Sequence, residues 1–355
     1  MDSFATESET VLETLCAPCG ETSGEAIPLR LLDVDDCPED FLGDWPEDCA
    51  FYRATQHAMP GFSLGYLLAY RADVRIAVIP YFLTDYRLGT MLLGRWPGRV
   101  LDGLSLRIAC IGHPSAAFGR IDGAVSRQLL DYAFAALGAK APVVACKGFG
   151  PDLPASGFVR VAGLPVAVLY PGADFWSKLR GHKVRNDIRR KLKASAALRF
   201  EEHDGLPAEH LESIYRLYLN TRSKSEIQFE RVTEAFFSNT SAQSIYILAF
   251  LHDRLVGFAQ MLHKADKAVG KYLGMDYSVS REHELYFSMY LHALDICKRR
   301  NFSQIEFGET SYRFKKELGC ELIDTWIYYR HRNRFVQPLL ARLTFLLEPS
   351  GKELL

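Results

Sequence analysis

Residues 245–263 read IYILAFLHDRLVGFAQMLH, and residues 65–83 read GYLLAYRADVRIAVIPYFL. Each is an alternating apolar run that breaks at a short polar step and then resumes. That period is the period of a strand, a tight turn and a second strand, so each stretch predicts a β-hairpin. Laid over one another, Tyr66-Leu67-Leu68-Ala69-Tyr70 falls on Tyr246-Ile247-Leu248-Ala249-Phe250, and Asp73 falls on Asp253. A hairpin that recurs in this way points to a duplicated unit.

The correspondence continues downstream. Residues 126–150, SRQLLDYAFAALGAKAPVVACKGFG, have helical spacing at Leu129, Leu130, Ala133, Phe134 and Leu137, a stop expected at Gly138, and then a strand. Residues 290–309, YLHALDICKRRNFSQIEFGE, repeat the helix, a stop at Asn301, and the strand. Each is followed by a loop and a glycine-led strand, SGFVRVAG and LGCELIDT. The expected fold is therefore α/β, of the α+β mixed-sheet kind, in two tandem domains at 27–171 and 201–333.

Between them, residues 174–200 carry nine lysines and arginines against Asp174 and Asp187 alone. Trp176, Leu179, Val184, Ile188 and Leu192 keep a three-to-four spacing, so 172–200 is expected to be a basic amphipathic helix joining the domains. The tail, 334–355, has apolar residues at Phe335, Leu339, Leu340, Leu343 and Leu346 and is expected to be a helix docking on its own domain. Peripheral membrane contact is its sharper alternative.

Composition removes several function classes. The chain has 355 residues and a formal net charge of −1, so it is not a polycation that coats nucleic acid, and any basic surface is local. Residues 1–26 are acidic and polar, without the basic and apolar regions of a secretory signal, and are expected to be mobile. The apolar runs are too short to span a bilayer, and eight scattered cysteines fit a reducing, cytoplasmic setting. Cys16 and Cys19 form a lone CxxC with no second ligand pair, so no metal site is expected.

With these residues in view, the chain resembles the Gcn5-related N-acetyltransferase (GNAT) superfamily, and within it the tandem-domain FemAB-like and CelD/BcsL-type acyltransferases. Four stretches carry the likeness: LRGHKVRNDIRRKLK, YRLYLNTRSKSEIQFERVTEAFF, KYLGMDYSVSREHELYFSMYLHALDICKRR and EFGETSYRFKKELGCEL. One departure bears on the donor. Members that use acetyl-CoA carry a glycine-bearing turn before the helix that follows the central strand, where backbone N–H groups hold pyrophosphate. Here that turn lies in SREHELYFSMY, which contains no glycine. FemAB-like members that take aminoacyl groups from tRNA also lack a well-formed loop of this kind.

The resemblance implies two parallel strands that splay apart, 270–278 and 303–309, with Gly274 as a point of close approach and part of the acceptor cleft. It implies that Lys315, with Lys316 beside it, anchors a phosphate or a carbonyl after the splayed strand. Tyr312, one helical turn from Lys315, is the candidate to protonate a leaving group or position the acyl carbonyl. Glu306, Glu309 and Asp276 are candidates to accept the proton of the amine. His283 opens the helix where donor phosphates lie in the family. Arg185, Arg189 and Arg190 form the densest basic patch, suited to a phosphate-rich ligand. In the first half, His113, Ser115 and Arg120 sit in a Gly/Pro/Ser loop and are candidates for the acceptor cleft.

The expected function is transfer of an aminoacyl or acyl group to an amine of a small-molecule, peptide or cell-envelope precursor. The co-substrate is aminoacyl-tRNA or acyl-CoA, with no tightly bound cofactor. The alternative from another class is a non-catalytic module that docks RNA or an anionic partner through the basic helix.

Overall fold

The computed structural model describes residues 10–12, 28–87, 105–171, 182–225, 229–309 and 311–342. In chain order the strands begin with β1 Thr10–Leu12, β2 Leu29–Val34, β3 Phe62–Arg71, β4 Val74–Arg87, β5 Ser105–Ile111 and β6 Asp122–Gly123. They continue as β7 Val143–Phe149, β8 Val159–Ala162, β9 Val166–Leu169, β10 Leu198–Asp204 and β11 Ser244–Leu251. The last are β12 Arg254–Lys264, β13 Lys267–Met275, β14 Gln304–Glu306, β15 Glu321–Ile323 and β16 Trp326–His331. The helices are α1 Cys49–Thr55, α2 Arg127–Lys140, α3 His182–Ala194, α4 Leu211–Lys224 and α5 Glu234–Asn239, then α6 Tyr277–Ser280, α7 Leu285–Arg299, α8 Tyr312–Glu317 and α9 Gln337–Arg342.

Two mixed sheets result, and each organises one compact unit. The first sheet runs β1-β2-β3-β4-β5-β7-β16-β8, with β6 on β4; the second runs β10-β11-β12-β13-β14-β9-β15. The two predicted hairpins are β3–β4 and β11–β12. Both turn through two residues, Ala72-Asp73 and His252-Asp253, with Ala72 and His252 at positive φ. Each carries a register shift after its fourth aligned residue, at Ala69/Tyr70 in one and Ala249/Phe250 in the other. Bulges at matched positions are strong evidence of duplication, since a bulge is a particular local geometry rather than a consequence of composition.

The units do not follow the sequence as simple halves. The first comprises residues 1–41, 61–163 and 325–348, and the second 42–60, 164–324 and 349–355. Each sheet takes a strand from the other's stretch of sequence: β9 sits between β14 and β15, and β16 sits between β7 and β8. Both strands face core on one side, and the VAVL run of β9 is fully buried, so a central sheet position suits it. The expected boundaries at 171 and 333 thus shift to 163 and 324, with 42–60 added to the second unit.

Other expectations change in detail. Thr10–Leu12 pairs antiparallel with β2, so the leader contributes a strand rather than being mobile throughout. The rest of it, with Cys16 and Cys19, lies outside the described residues. Gly138 does not stop α2: the helix continues to Lys140 and carries Gly138 buried inside it. Asn301 does adopt the left-handed conformation after α7, as a C-terminal stop does. The basic segment forms α3 from His182 onward and belongs to the second unit, where Lys191 Nζ lies 4.1 Å from the ring centre of Phe287. In the tail, α9 ends at Arg342 with Phe335 and Leu339 exposed, and residues 343–355 lie outside the described residues. Among the described residues no helix is long and apolar enough to cross a membrane.

Candidate functional site

The parallel pair β13–β14 is held over only three positions, Lys267↔Gln304 to Val269↔Glu306, although β13 runs on to Met275. Each strand is drawn away by another partner. After Glu306 the chain follows β9: Phe307 N–H donates to Ala167 O (2.8 Å) and Ala167 N–H to Gly308 O (3.0 Å). Strand β13 instead stays with β12 and with α4. Thr221 Oγ1 accepts from Met275 N–H (3.0 Å), and Asn220 Nδ2 donates to Met275 O (2.7 Å). Helix α4 can come this close because residue 274 is glycine: a Cβ there would stand 2.6 Å from Leu217 C and 2.8 Å from Tyr218 N. Gly274 is a close-approach point, and what approaches is the helix that replaces a missing strand neighbour.

Alternation along β13 then exposes a donor. Asp276 N–H donates to Val256 O (2.8 Å), which makes 276 and 274 the positions bonded to β12, and 275 and 273 the positions turned away from it. Met275 is met by α4. Leu273 therefore presents its N–H and C=O to the gap that β14 has left. Lys271 tells the same story: its side chain is only 3% exposed while the residue as a whole is half-exposed, so the accessible part is backbone.

The gap is a cavity of about 410 Å³ contained in the second unit. On the α7 side it is walled by Tyr286, Met289, Tyr290, Ala293 and Phe307. On the α4 side the lining is more polar: Tyr218, Arg222, Glu230, Gln260 and Tyr272. Tyr272 OH donates to Glu230 Oε1 (3.1 Å), and Arg222 Nε donates to Glu230 O (3.0 Å), so the loop after α4 is tied to helix and strand together. Tyr218 OH accepts from Val232 N–H (3.0 Å), and burial pushes its pKa up to about 12, which keeps its proton in place. Glu47 and Lys271 form a buried ion pair at the wall.

Gln260 stands at a register shift in β12 and is 1% exposed. Its Nε2 donates to Thr240 Oγ1 (2.8 Å) and Ser244 Oγ (2.9 Å). Both hydroxyls already donate elsewhere, to Phe236 O and Thr240 O. They can only accept from Gln260, so the amide orientation is fixed and its Oε1 points the other way. That oxygen has no hydrogen-bond partner among the described residues.

The expected site residues divide. Lys315 is 1% exposed; its Nζ donates to the carbonyls of Phe307 and Gly308, and burial pulls its pKa down to about 8. It fastens the chain where β14 departs from β13, so it is an internal strut rather than the expected phosphate anchor. Lys316, one position on, is exposed. Tyr312 is buried at the start of α8, and Glu306 is 1% exposed within the sheet. Neither stands among the cavity-lining residues, and nor does half-buried Glu309. Asp276 caps α6, accepting from Ser278 N–H (2.9 Å) and pairing with Arg254; these bonds outweigh desolvation and lower its pKa, which makes it a poor base. His283 lies in the turn before α7, whose cap is Glu284 at φ 47°. Arg189 and Arg190 are exposed on α3, while the Arg185 side chain lies outside the described residues.

His113, Ser115 and Arg120 belong to the first unit. There β5 pairs with β7 up to Ile111↔Cys146, and β7 continues to Phe149. The loop 112–120 folds onto that continuation. Gly119 N–H donates to Gly148 O (2.9 Å), and Lys147 Nζ donates to Ala116 O (2.9 Å). His113 is 1% exposed, with Ser115 N–H and Oγ against its Nδ1. The loop that carries these three residues is thus held against β7. Tyr218, Arg222, Glu230, Gln260 and Tyr272 are the ones that sequence reading missed.

Residues 182–316 match the family model for the acetyltransferase (GNAT) domain. This segment is a GNAT domain. It runs from α3 into α8 and contains every residue that lines the cavity. No curated protein sequence matches the chain. Solved structures extend the likeness beyond the GNAT domain to both units. The C-terminal domain of a putative lysylphosphatidylglycerol synthetase from Agrobacterium fabrum is 12% identical, with a TM-score of 0.57 over 87% of this chain and 94% of that one. L-PGS from Bacillus licheniformis is 9% identical, with a TM-score of 0.53 over 86% and 97%. FemX is 13% identical, with a TM-score of 0.52 over 86% and 95%. Over both units the chain shares its fold with these three structures.

Proposed function

We propose that the protein is an N-acyltransferase that moves an acyl or aminoacyl group from an activated donor to an amine, in the cavity of the second unit. The observation that carries this reading is the opened strand pair, which leaves the Leu273 N–H facing a partly open cavity of about 410 Å³. A backbone donor fixed before the reaction suits the negative charge that grows on an acyl oxygen as an amine adds to it. The acyl carbonyl rests at Leu273, the donor reaches it from the α7 side and the amine from the α4 side. A C–N bond forms at the carbonyl carbon, the bond to the leaving oxygen or sulfur breaks, and the leaving group takes up a proton. Tyr218 and Tyr272 are among the hydroxyl-bearing residues that line that space.

An aminoacyl ester of tRNA is the donor favoured. At the N-terminus of α7, the place where pyrophosphate would sit, the cap is Glu284 in a left-handed conformation. An acidic residue with a Cβ thus holds the position where glycine would let pyrophosphate come close to the backbone. An aminoacyl ester needs no pyrophosphate there, and Arg189 and Arg190 on the exposed face of α3 offer charge to an RNA backbone.

Thermal shifts with acetyl-CoA, longer acyl-CoAs, uncharged tRNA and charged tRNA test the reading. The expected result is stabilisation by charged tRNA that falls in an Arg189→Ala/Arg190→Ala double variant. Stabilisation by acyl-CoA alone makes the thioester the donor. No response to either favours a non-catalytic module.

A further inference from the structure

The α4 end of the cavity holds a carboxylate, and that carboxylate is built in. Glu230 Oε1 accepts from Tyr272 OH at 3.1 Å, and the backbone carbonyl of Glu230 is held by Arg222 Nε at 3.0 Å. Tyr272 is in turn fixed by its ring, which packs edge-on against Tyr218, Phe236 and Phe237 with centroids 5.2, 5.1 and 6.0 Å away. Thus the carboxylate has one oxygen committed and a rigid support behind it. Its second oxygen takes no hydrogen bond from the described residues. The Lys271 ammonium in the same wall is paired with Glu47, not with Glu230.

A second acceptor stands in the same cavity wall. The orientation of Gln260 is fixed by two hydroxyls that can only accept from it, and its Oε1 is left without a donor. A buried amide oxygen without a partner is costly, and such groups are few in folded proteins. One buried acceptor without a donor and one half-buried carboxylate, in a cavity whose α7 side is aromatic and aliphatic, call for a ligand rich in N–H. A compact group of that kind with a charge to match Glu230 is a protonated primary amine.

We infer that the α4 end of the cavity is a subsite for a primary ammonium group, with Glu230 as its counter-ion. The inference rests on reading the cavity as the transfer site, and it adds which substrate group is received there and by which residue. An amine reaches the protein at neutral pH as R–NH3+, which has no lone pair for attack. Glu230 takes one proton; the nitrogen keeps the electron pair of that N–H bond and becomes R–NH2. The group is supplied either by the acceptor amine or by the α-amine of an aminoacyl donor, and both present the same chemistry to Glu230.

The test is a binding measurement on the full chain and needs no turnover. n-Butylammonium and n-butanol are titrated into the wild-type protein and into Glu230→Gln, a variant of equal shape that keeps an oxygen for Tyr272. The expected result is saturable binding of n-butylammonium to wild type, about tenfold or more weaker in Glu230→Gln, with n-butanol binding poorly to both. Equal affinity of wild type for the ammonium and the alcohol overturns the inference without recourse to any variant. Equal affinity of the ammonium for wild type and a folded Glu230→Gln overturns it as well. Puromycin, which carries a free α-amine, and its N-acetyl form then separate the sources. Glu230-dependent binding of puromycin alone marks the donor's amine, and its absence beside n-butylammonium binding marks the acceptor's. Ammonium binding in a protein that binds no acyl-CoA and no tRNA leaves the subsite standing while the transfer reading falls.

Discussion

In the first unit the chain fills the gap between β5 and β7 with its own loop; in the second, the gap between β13 and β14 is left as a cavity. The two gaps arise at the same place in a duplicated fold, after a short parallel pairing that ends while one strand continues. What differs is which strand runs on, β7 in the first unit and β13 in the second, and what meets it. In the first unit Gly119 and Gly148 allow backbone to lie directly on backbone, since a Cβ at either would stand 2.3 Å from a carbonyl oxygen, of Lys147 or of Ala117. In the second unit the exposed positions are met by α4 at Met275 only, and Leu273 is left facing space. Duplication thus supplies two frames, and a nine-residue loop decides which of them keeps an open cavity.

The largest effect is expected from the backbone donor. Leu273→Pro removes an N–H that does not bond to β12, so the ladder survives. The rate of transfer should fall by ~10²–10³, measured on protein whose circular dichroism is unchanged. A variant that folds and keeps its rate breaks the link between the open gap and catalysis. Next come the paired glycine variants. Gly274→Ala and Gly119→Ala each drive a Cβ into backbone and should each cost about 1–3 kcal/mol in denaturant unfolding. Their activities should part: Gly274→Ala loses transfer, while folded Gly119→Ala keeps it.

The strut is expected to show itself through pH. The Lys315 pKa lies at about 8 in the folded protein, below its ordinary value of 10.5, because burial penalises the charged form. Below pH 8 both folded and unfolded states are protonated and the penalty is full. Between pH 8 and 10.5 the folded state has shed a proton that the unfolded state still holds, so stability rises with pH. Relative to Lys315→Met, wild type should gain about 3 kcal/mol across that window. A flat difference would show an ammonium that is better solvated than its position implies. The smallest effect belongs to Asp276→Asn, which loses charge at a cap and should cost about 1 kcal/mol with transfer intact. Loss of activity there would restore Asp276 as a base.

Much of the frame is legible in the sequence. The hairpins announce themselves by period-two alternation around a two-residue turn, and their repetition gives the tandem fold. The exchange of β9 and β16 is not legible, because VAVL and WIYYRH are short apolar runs whose partners are set by tertiary packing. The lysine pair misleads for a helical reason: adjacent residues on α8 point about 100° apart, so one is buried and the other exposed. Glu230 has no motif around it. It matters because a loop carries it to Tyr272, forty-two positions along the chain, and only folding makes that pair.

The central claim is that the donor binds in the gap of the second unit. Isothermal titration of charged tRNA, with acyl-CoA as a second titrant, into wild type and Gly270→Leu tests it most directly. A Cβ at Gly270 would meet nothing closer than Glu306 O at 3.4 Å, so the longer side chain fits the strand and enters the cavity. The account predicts that one of the two donors binds wild type and Gly119→Ala alike, and binds a folded Gly270→Leu at least about tenfold more weakly. Equal affinity for wild type and Gly270→Leu would place the donor elsewhere and contradict it.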